Sequence, residues 1–189
     1  MKPEDIVAAR ARRDAFIAAV PKAILDLEDA LPEILAKAPG SKRAKLKRIY
    51  LAMDQIAKVR EPFVACGKGC SDCCKMNISI SRIEARAISS AAGRPFADLT
   101  ESRRHPDAEF VGVPCPFLVD DACSIYEHRP IACRKHASFH SSSEWCKPDM
   151  LFETTVPMLD FGGVDKAFLE TSTDGNQLIV ADVRDFFPV

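Results

Sequence analysis

Apolar residues recur at intervals of three and four along the first third of the chain, as they do on one face of a helix. They are Ile24, Leu27, Leu31, Ile34 and Leu35 in one stretch and Leu46, Ile49, Tyr50, Met53 and Ile56 in the next. Pro21 is expected to divide a first helix over about residues 4–19 from a second over about 22–37, which Pro32 kinks or shortens. Ser41 is a suitable N-cap for a third helix. The pattern predicts a small antiparallel helical bundle.

Shorter elements are predicted after this bundle. The stretch 75–80 alternates between polar and apolar residues and predicts a short strand. Ser81 and Glu84 have the spacing of a capping box, which predicts a helix over about 82–92. Further on, we expect a helix over about 157–169 that is interrupted at Gly162-Gly163, and then a strand or short helix over 178–183.

A β-hairpin is predicted in the middle of the cysteine-containing part. Two β-prone runs, 115–119 and 122–126, flank the dipeptide Asp120-Asp121, so a turn is expected between them. Pro130 then suits the first turn of a short helix. Cys133 would lie near the N-terminus of that helix, where the helix dipole favours a thiolate.

These elements together predict a mainly α fold with a small β-hairpin. We expect an N-terminal helical region over 1–60, packed on an irregular, cysteine-rich domain over 61–150, whose cysteines are considered below as metal ligands. The segment 151–189 is expected to be a C-terminal extension that packs on that domain.

Composition and charge narrow the class of protein. The chain has 189 residues, of which 47% are apolar, and a formal net charge of -1. These values are those of a globular protein and give no general attraction to nucleic acid. The N-terminal stretch lacks the apolar core of a secretory signal, and no window approaches the roughly 18 apolar residues of a membrane span. The sequence therefore predicts a cytoplasmic protein that binds neither membrane nor nucleic acid.

The cysteines carry the chemistry. The chain contains eight of them: Cys66, Cys70, Cys73, Cys74, Cys115, Cys123, Cys133 and Cys146. The reducing cytosol disfavours disulfides and preserves thiolates, so we expect all eight to serve as metal ligands. Four lie within nine residues, and the glycines between them allow backbone N–H groups to turn toward sulfur. Cys66, Cys70 and one of Cys73 and Cys74 are expected to converge, while the side chains of the adjacent pair diverge.

Iron–sulfur and zinc are both compatible with these spacings. Cys66-x3-Cys70-x2-Cys73 has the spacing that wraps three corners of a 4Fe-4S cluster in radical SAM enzymes, although the βα units of that family are absent here. Cys115-Pro116 is similar to the Cys-Pro step of ferredoxins. Against this, Cys70-x2-Cys73 is also a zinc knuckle. A zinc site made of Cys133, His136, His140 and Cys146 is a further alternative. The balance favours a 4Fe-4S cluster, with zinc as the alternative.

The combined motif resembles a known family. It runs Cys66-x3-Cys70-x2-Cys73-Cys74, then Cys115-Pro-Phe-Leu, then Cys123-Ser-Ile-Tyr-Glu-His-Arg-Pro-Ile-Ala-Cys133-Arg, and then Cys146. This arrangement resembles the YkgJ-type cysteine cluster family, the zinc- or iron-chelating CxxCxxCC domain, over about residues 62–150. The resemblance implies metal chelation by these cysteines. A related cluster in flagellin lysine N-methylases is associated with an iron–sulfur centre, which favours iron–sulfur here.

Three functions follow from this reasoning. The first is a cytosolic iron–sulfur protein with a redox, electron-transfer or accessory role, working with a protein or redox partner. The second is a zinc-chelating structural module that binds a partner. The third is a cluster-dependent modifying enzyme. No catalytic triad, paired carboxylates or phosphate-binding loop is evident in the sequence.

Overall fold

Three long helices come first in the computed structural model, which describes residues 3–67, 69–150 and 159–188. They are α1 (Pro3–Ala19), α2 (Lys22–Lys37) and α3 (Lys42–Arg60). The predicted N-cap is present, because the Ser41 side chain accepts a hydrogen bond from the backbone N–H of Ala44 at 3.3 Å. Pro32 lies inside α2 and does not end it. The helices predicted from the apolar spacing are therefore confirmed.

Four shorter helices follow among the described residues. They are α4 (Arg82–Ala92), α5 (Ile131–Lys135), α6 (Gly162–Ser172) and α7 (Val183–Phe186). The capping box predicted at the start of α4 is present in full. Gly162 begins α6 instead of interrupting a longer helix, and residues 157 and 158 of that predicted helix lie outside the described residues.

The strands form two small antiparallel pairs. β1 (Ser79–Ser81) pairs with β4 (Val180–Asp182), and β2 (Leu118–Val119) pairs with β3 (Ala122–Cys123). Asp120 and Asp121 connect β2 to β3 with φ angles of 48° and 54°. Positive φ at both positions is the geometry of the tightest hairpin turns, and aspartate tolerates it better than most residues. The mainly α fold with a small hairpin is confirmed.

The first apolar core, here called the helical core, lies among α1, α2, α3 and α6 and reaches α5. Its buried members are Ala9, Phe16, Leu31, Leu35, Ile49, Ala52, Met53, Ile56, Ile131, Phe139, Phe161, Val164 and Ala167. Gly163 permits the closest approach, because a Cβ there would lie 1.9 Å from the carbonyl oxygen of Glu28. The Glu28 carboxylate also accepts a hydrogen bond from the N–H of Val164 at 2.8 Å.

The second apolar core, here called the cysteine core, lies between the β1–β4 pair, α4, α7 and the hairpin. Its buried members are Cys74, Ile78, Ile80, Ala85, Ile88, Cys115, Phe117, Ile125, Ile179, Ala181, Val183, Phe186 and Phe187. Cys73, Cys123 and Cys133 pack against it. Segments distant in the sequence therefore meet around five of the cysteines, while the division of the chain into three segments stays a prediction.

No helix within the described residues combines the length and the apolar character needed to cross a membrane.

Candidate metal centre

All eight cysteines line one cavity of about 510 Å³. Their thiols are free, and three of the eight, Cys74, Cys115 and Cys146, are buried. Four come from the segment that follows α3, one precedes the hairpin and one lies in its strand β3, and the last two come from α5 and from the short turn Ser143–Cys146. The fold thus brings residues that are up to 80 positions apart in the sequence to the wall of a single space.

Backbone N–H groups point at several of the sulfurs. The sulfur of Cys70 accepts a hydrogen bond from the N–H of Asp72, that of Cys115 from Phe117, and that of Cys123 from Ile125. Each donor is two residues beyond its cysteine. Cys66 instead accepts from the distant N–H of Ser138, at 3.1 Å. Such bonds favour the thiolate form that binds metal, so the loops are shaped for thiolate ligands.

Three of the sulfurs that line the cavity interact with one another. The thiols of Cys66 and Cys146 are hydrogen-bonded, and Cys70 interacts electrostatically with each of them. The pKa of Cys66 is lowered to about 6, first by its bond with Cys146 and then by the Ser138 N–H and the Arg60 guanidinium. The pKa of Cys146 is raised, because its thiol donates to Cys66 and is partly buried. We call Cys66, Cys70 and Cys146 the three-sulfur set.

The other five sulfurs form a second neighbourhood. The thiol of Cys74 is hydrogen-bonded to those of Cys123 and Cys73. The pKa of Cys133 is raised, first by burial and then by the charges of Cys115, Cys74 and Cys123 around it. All five belong to or pack against the cysteine core. We call Cys73, Cys74, Cys115, Cys123 and Cys133 the five-sulfur set.

This grouping differs from the one predicted from spacing. Cys66 and Cys70 lie with the distant Cys146, not with Cys73 or Cys74. The side chains of Cys73 and Cys74 do not diverge, because both lie in the short turn Asp72–Lys75 and their thiols are hydrogen-bonded. The pKa of Cys133 is raised and not lowered as its place at the start of α5 predicted, since burial and neighbouring thiols outweigh the helix dipole.

The fold does not bring together the alternative zinc site made of Cys133, His136, His140 and Cys146 either. Cys133 and Cys146 belong to different sets, and His140, although buried, does not line the cavity. His136 does line it, and its pKa is lowered by burial and by the nearby Arg60 guanidinium. His136 is therefore the one member of that predicted set, apart from the cysteines, that faces the cavity.

A buried carboxylate fixes the position of Cys133. Glu84 of α4 accepts hydrogen bonds from the Tyr50 hydroxyl at 2.9 Å and from the N–H of Ile131 at 2.7 Å. Its other oxygen accepts from the N–H and hydroxyl of Ser81. Burial raises the pKa of Glu84. Glu84 therefore joins α3, α4 and the first residue of α5, the helix that carries Cys133.

Two arginines hold the backbone around the cavity. Arg60 is buried and donates to the carbonyl oxygens of Arg134 and Lys135, both at 2.9 Å, beside Cys66. Arg184 of α7 donates to the carbonyl oxygen of Cys74 at 3.4 Å and to that of Met76 at 3.2 Å.

The sequence alone did not single out either arginine, Glu84 beyond its cap, or Ser138. Their roles depend on contacts between distant segments, and no local pattern signals them.

The ligand assignment of the eight cysteines stays a prediction. In the part of the chain that the structure describes, no group of three or more His, Cys, Asp or Glu side chains is a ready-made set for a single metal ion. The sulfurs surround a space, and thiolates are the donors that zinc and iron–sulfur clusters require. The donor chemistry of the cavity therefore fits either group.

The match to a known family covers this same region. Residues 65–148 match the CxxCxxCC family, which is described as a "Putative zinc- or iron-chelating domain". No curated protein and no solved structure matches the chain significantly. The matched residues contain every one of the eight cavity cysteines. Residues 65–148 are therefore similar to the CxxCxxCC domain, and this similarity supports metal binding by the part of the chain that lines the cavity.

Proposed function

We propose that this chain is a cytosolic protein that holds an iron–sulfur cluster, of the 4Fe-4S type, through its cysteines. Its role would be redox, electron transfer or support of a modifying enzyme, together with a protein or redox partner. One observation carries the proposal: eight free thiols line a single cavity of about 510 Å³. Free thiols in such number also fit a reducing compartment.

The size of the cavity supports a cluster over a lone ion. Sites that hold cofactors and small molecules have volumes of about 300–1,000 Å³, and this cavity is within that range. A single zinc ion with four thiolates at ~2.3 Å needs a far smaller space. Hydrogen bonds from backbone N–H groups to four of the sulfurs also support a cluster, because such bonds adjust the reduction potential of iron–sulfur centres.

Each part of the wall has a chemical task in this proposal. The thiols would bind as thiolates, so loading would release protons. The guanidinium groups of Arg60 and Arg129 line the cavity and offset the resulting negative charge. Ile78, Phe117 and Val183 form an apolar wall that limits access of water. A bound iron–sulfur cluster supplies one-electron transfer at a potential that these surroundings adjust.

Metal and sulfide analysis tests the proposal. Protein purified without oxygen should contain iron and acid-labile sulfide in similar amounts and should show broad visible absorption, as thiolate-bound iron does. The matched control is the double variant Cys66→Ser/Cys123→Ser, which should purify with little of either element. Colourless wild-type protein that contains stoichiometric zinc and no sulfide would overturn the iron–sulfur assignment.

Zinc is the second candidate, as the metal of a structural module for partner binding. The family description names zinc together with iron, and thiolates suit both. In that case the metal would act as a cross-link between the segments that carry the cysteines. Chelation would then unfold the cysteine core without any loss of colour.

A further inference from the structure

The contacts between sulfurs divide the eight cysteines. Cys146 is hydrogen-bonded to Cys66, and it feels the charges of Cys66 and Cys70. Ser138 connects these two chain segments, because its N–H donates to the Cys66 sulfur at 3.1 Å and its side chain bonds to Cys146. The backbone adds a second connection, since the N–H of Ala65 donates to the carbonyl of Ser138 at 2.9 Å. Ser138 thus holds the chain segments of Cys66 and Cys146 together in the three-sulfur set.

The five-sulfur set is held together through Cys74 instead. The N–H of Cys115 donates to the carbonyl oxygen of Cys74 at 2.7 Å, and Cys123 reaches Cys74 through its thiol. Cys133 completes the group from α5, where the thiols of Cys74, Cys115 and Cys123 are close enough to raise its pKa. The contacts that act most strongly on Cys133 and Cys74 come from within this group.

The two sets also differ in their surroundings. All members of the five-sulfur set belong to or pack against the cysteine core, where they meet Ile78, Phe117 and Phe187, and no member of the three-sulfur set does. The loop between Cys66 and Cys70 is exposed at Gly67 and Gly69. The five-sulfur set therefore sits in an apolar wall, whereas the three-sulfur set lies outside the cysteine core and includes the two cysteines that bracket the exposed Gly67 and Gly69.

Resting on the proposed function, we infer that the eight cysteines hold two separate centres, one closed by the five-sulfur set and one held by the three-sulfur set with a coordination position open to a small ligand from outside the chain. Four thiolates complete a tetrahedral zinc or the four irons of a 4Fe-4S cluster, and the five-sulfur set has enough of them. Three thiolates leave one position unfilled. Closed sites are typical of structural metals and open ones of reactive metals.

Pairs of Cys→Ser variants test the division. Metal per chain is measured on protein purified without oxygen. Within the three-sulfur set, Cys66→Ser/Cys146→Ser should retain as much metal as either single variant, about half of the wild-type amount if both centres are of one type. Across the sets, Cys66→Ser/Cys123→Ser should lose nearly all of it. Circular dichroism and thermal unfolding of each variant confirm that the helices are intact.

The division into two centres and the proposed metal binding fail in different ways. Loss of all metal in each single variant would mean one shared centre and would overturn the division, while leaving metal binding intact. Absence of metal from the wild-type protein would instead overturn the proposed function itself.

Release of metal to a chromophoric chelator tests the open position. Wild-type protein should release metal in two phases, since an incompletely ligated centre is the more accessible. The fast phase should be absent from Cys66→Ser and retained in Cys123→Ser. The control Ser71→Ala, next to Cys70, should leave both phases unchanged. A fast phase that persists in Cys66→Ser, or that changes rate in His136→Gln, would overturn the open position, the latter because His136 would then be a fourth ligand.

Discussion

The helical core and the cysteine core are of similar size but are built from different side chains. The helical core is filled by aliphatic and aromatic residues from long helices, including Phe16, Met53 and Phe139. In the cysteine core, thiols surround a cavity, and the regular elements are strands of two or three residues and short helices. The helical core is complete through its own packing, whereas we expect the cysteine core to be completed by what binds in its cavity.

Removal of the metal should destabilise the cysteine core far more than the helical core, and this is the largest effect that we expect. Binding of a structural metal contributes on the order of 10 kcal/mol to the folding of small thiolate domains. In protein treated with a chelator under reducing conditions, amide hydrogen exchange should accelerate in β1, β2 and β3 and remain slow in α3. Equal acceleration in both regions would show that the helical core also depends on the metal.

Truncation of a side chain in the helical core should lower the stability of the protein and leave its metal content unchanged. Met53 is fully buried, so Met53→Ala should lower the free energy of unfolding by about 2–5 kcal/mol. Metal content per folded chain should not change. The control is Leu51→Ala in the same helix, where the side chain is 52% exposed and the expected change is within about 0.5 kcal/mol. Loss of metal in folded Met53→Ala protein would show that the two cores are not independent.

Glu84 connects the two cores, and its replacement should weaken that connection. In Glu84→Gln, one carboxylate oxygen becomes an amide NH2 that cannot accept from the donors around it. We expect a loss of about 1–3 kcal/mol for a buried donor left without a partner. Denaturant unfolding followed by far-UV circular dichroism measures this loss. Tyr50→Phe is the milder control, because it removes one donor and leaves the other bonds of Glu84 in place.

Close packing of α6 on α2 provides a test confined to the helical core. Gly163→Ala would place a methyl group against the backbone of Glu28 and should cost about 1–3 kcal/mol through overpacking. Gly162→Ala is the matched control, since nothing lies within 4 Å of a Cβ at that position. Thermal unfolding should separate the two variants. Equal melting temperatures would contradict the close contact.

The smallest effect concerns one thiol in the metal-free protein. The pKa of Cys66 is lowered to about 6, while burial and neighbouring thiols raise the pKa of Cys123 and Cys133. The thiolate is the nucleophile, so iodoacetamide at about pH 7 should modify Cys66 at least tenfold faster than those two. Because the pKa is lowered, the rate should fall only as the pH drops through about 6. Mass spectrometry of quenched samples measures the order of labelling, and first modification at Cys123 would contradict it.

The sequence predicted the local elements well, for a physical reason. Helices α1 to α4 depend on apolar spacing, prolines and caps within a few residues of one another, such as Ser41 and the Ser81–Glu84 pair. The hairpin likewise depends on its own Asp120-Asp121 turn. Interactions of this kind are contained in a short window of sequence, so a single sequence is enough to reveal them.

The grouping of the sulfurs could not be predicted in the same way. It depends on Ser138 lying beside Cys66 and on Cys115 lying beside Cys74, contacts across 72 and 41 positions. The spacing within Cys66–Cys74 indicated a common centre, but the short turn Asp72–Lys75 carries Cys73 and Cys74 toward the other set. The pairing of β1 with β4 was missed for the same reason, since each strand was predicted without its partner.

That strand pairing has a consequence for how the protein is made. The last cysteine is Cys146, yet Val183 lines the cavity and Arg184 holds the carbonyl of Cys74. Asp182 also accepts the N–H of Ile78 at 2.6 Å, next to β1. During synthesis, all eight thiols therefore leave the ribosome before β4 and α7, which complete their surroundings. The nascent chain therefore passes through a stage in which all eight thiols are present but the part of the cavity wall that β4 and α7 supply is still missing.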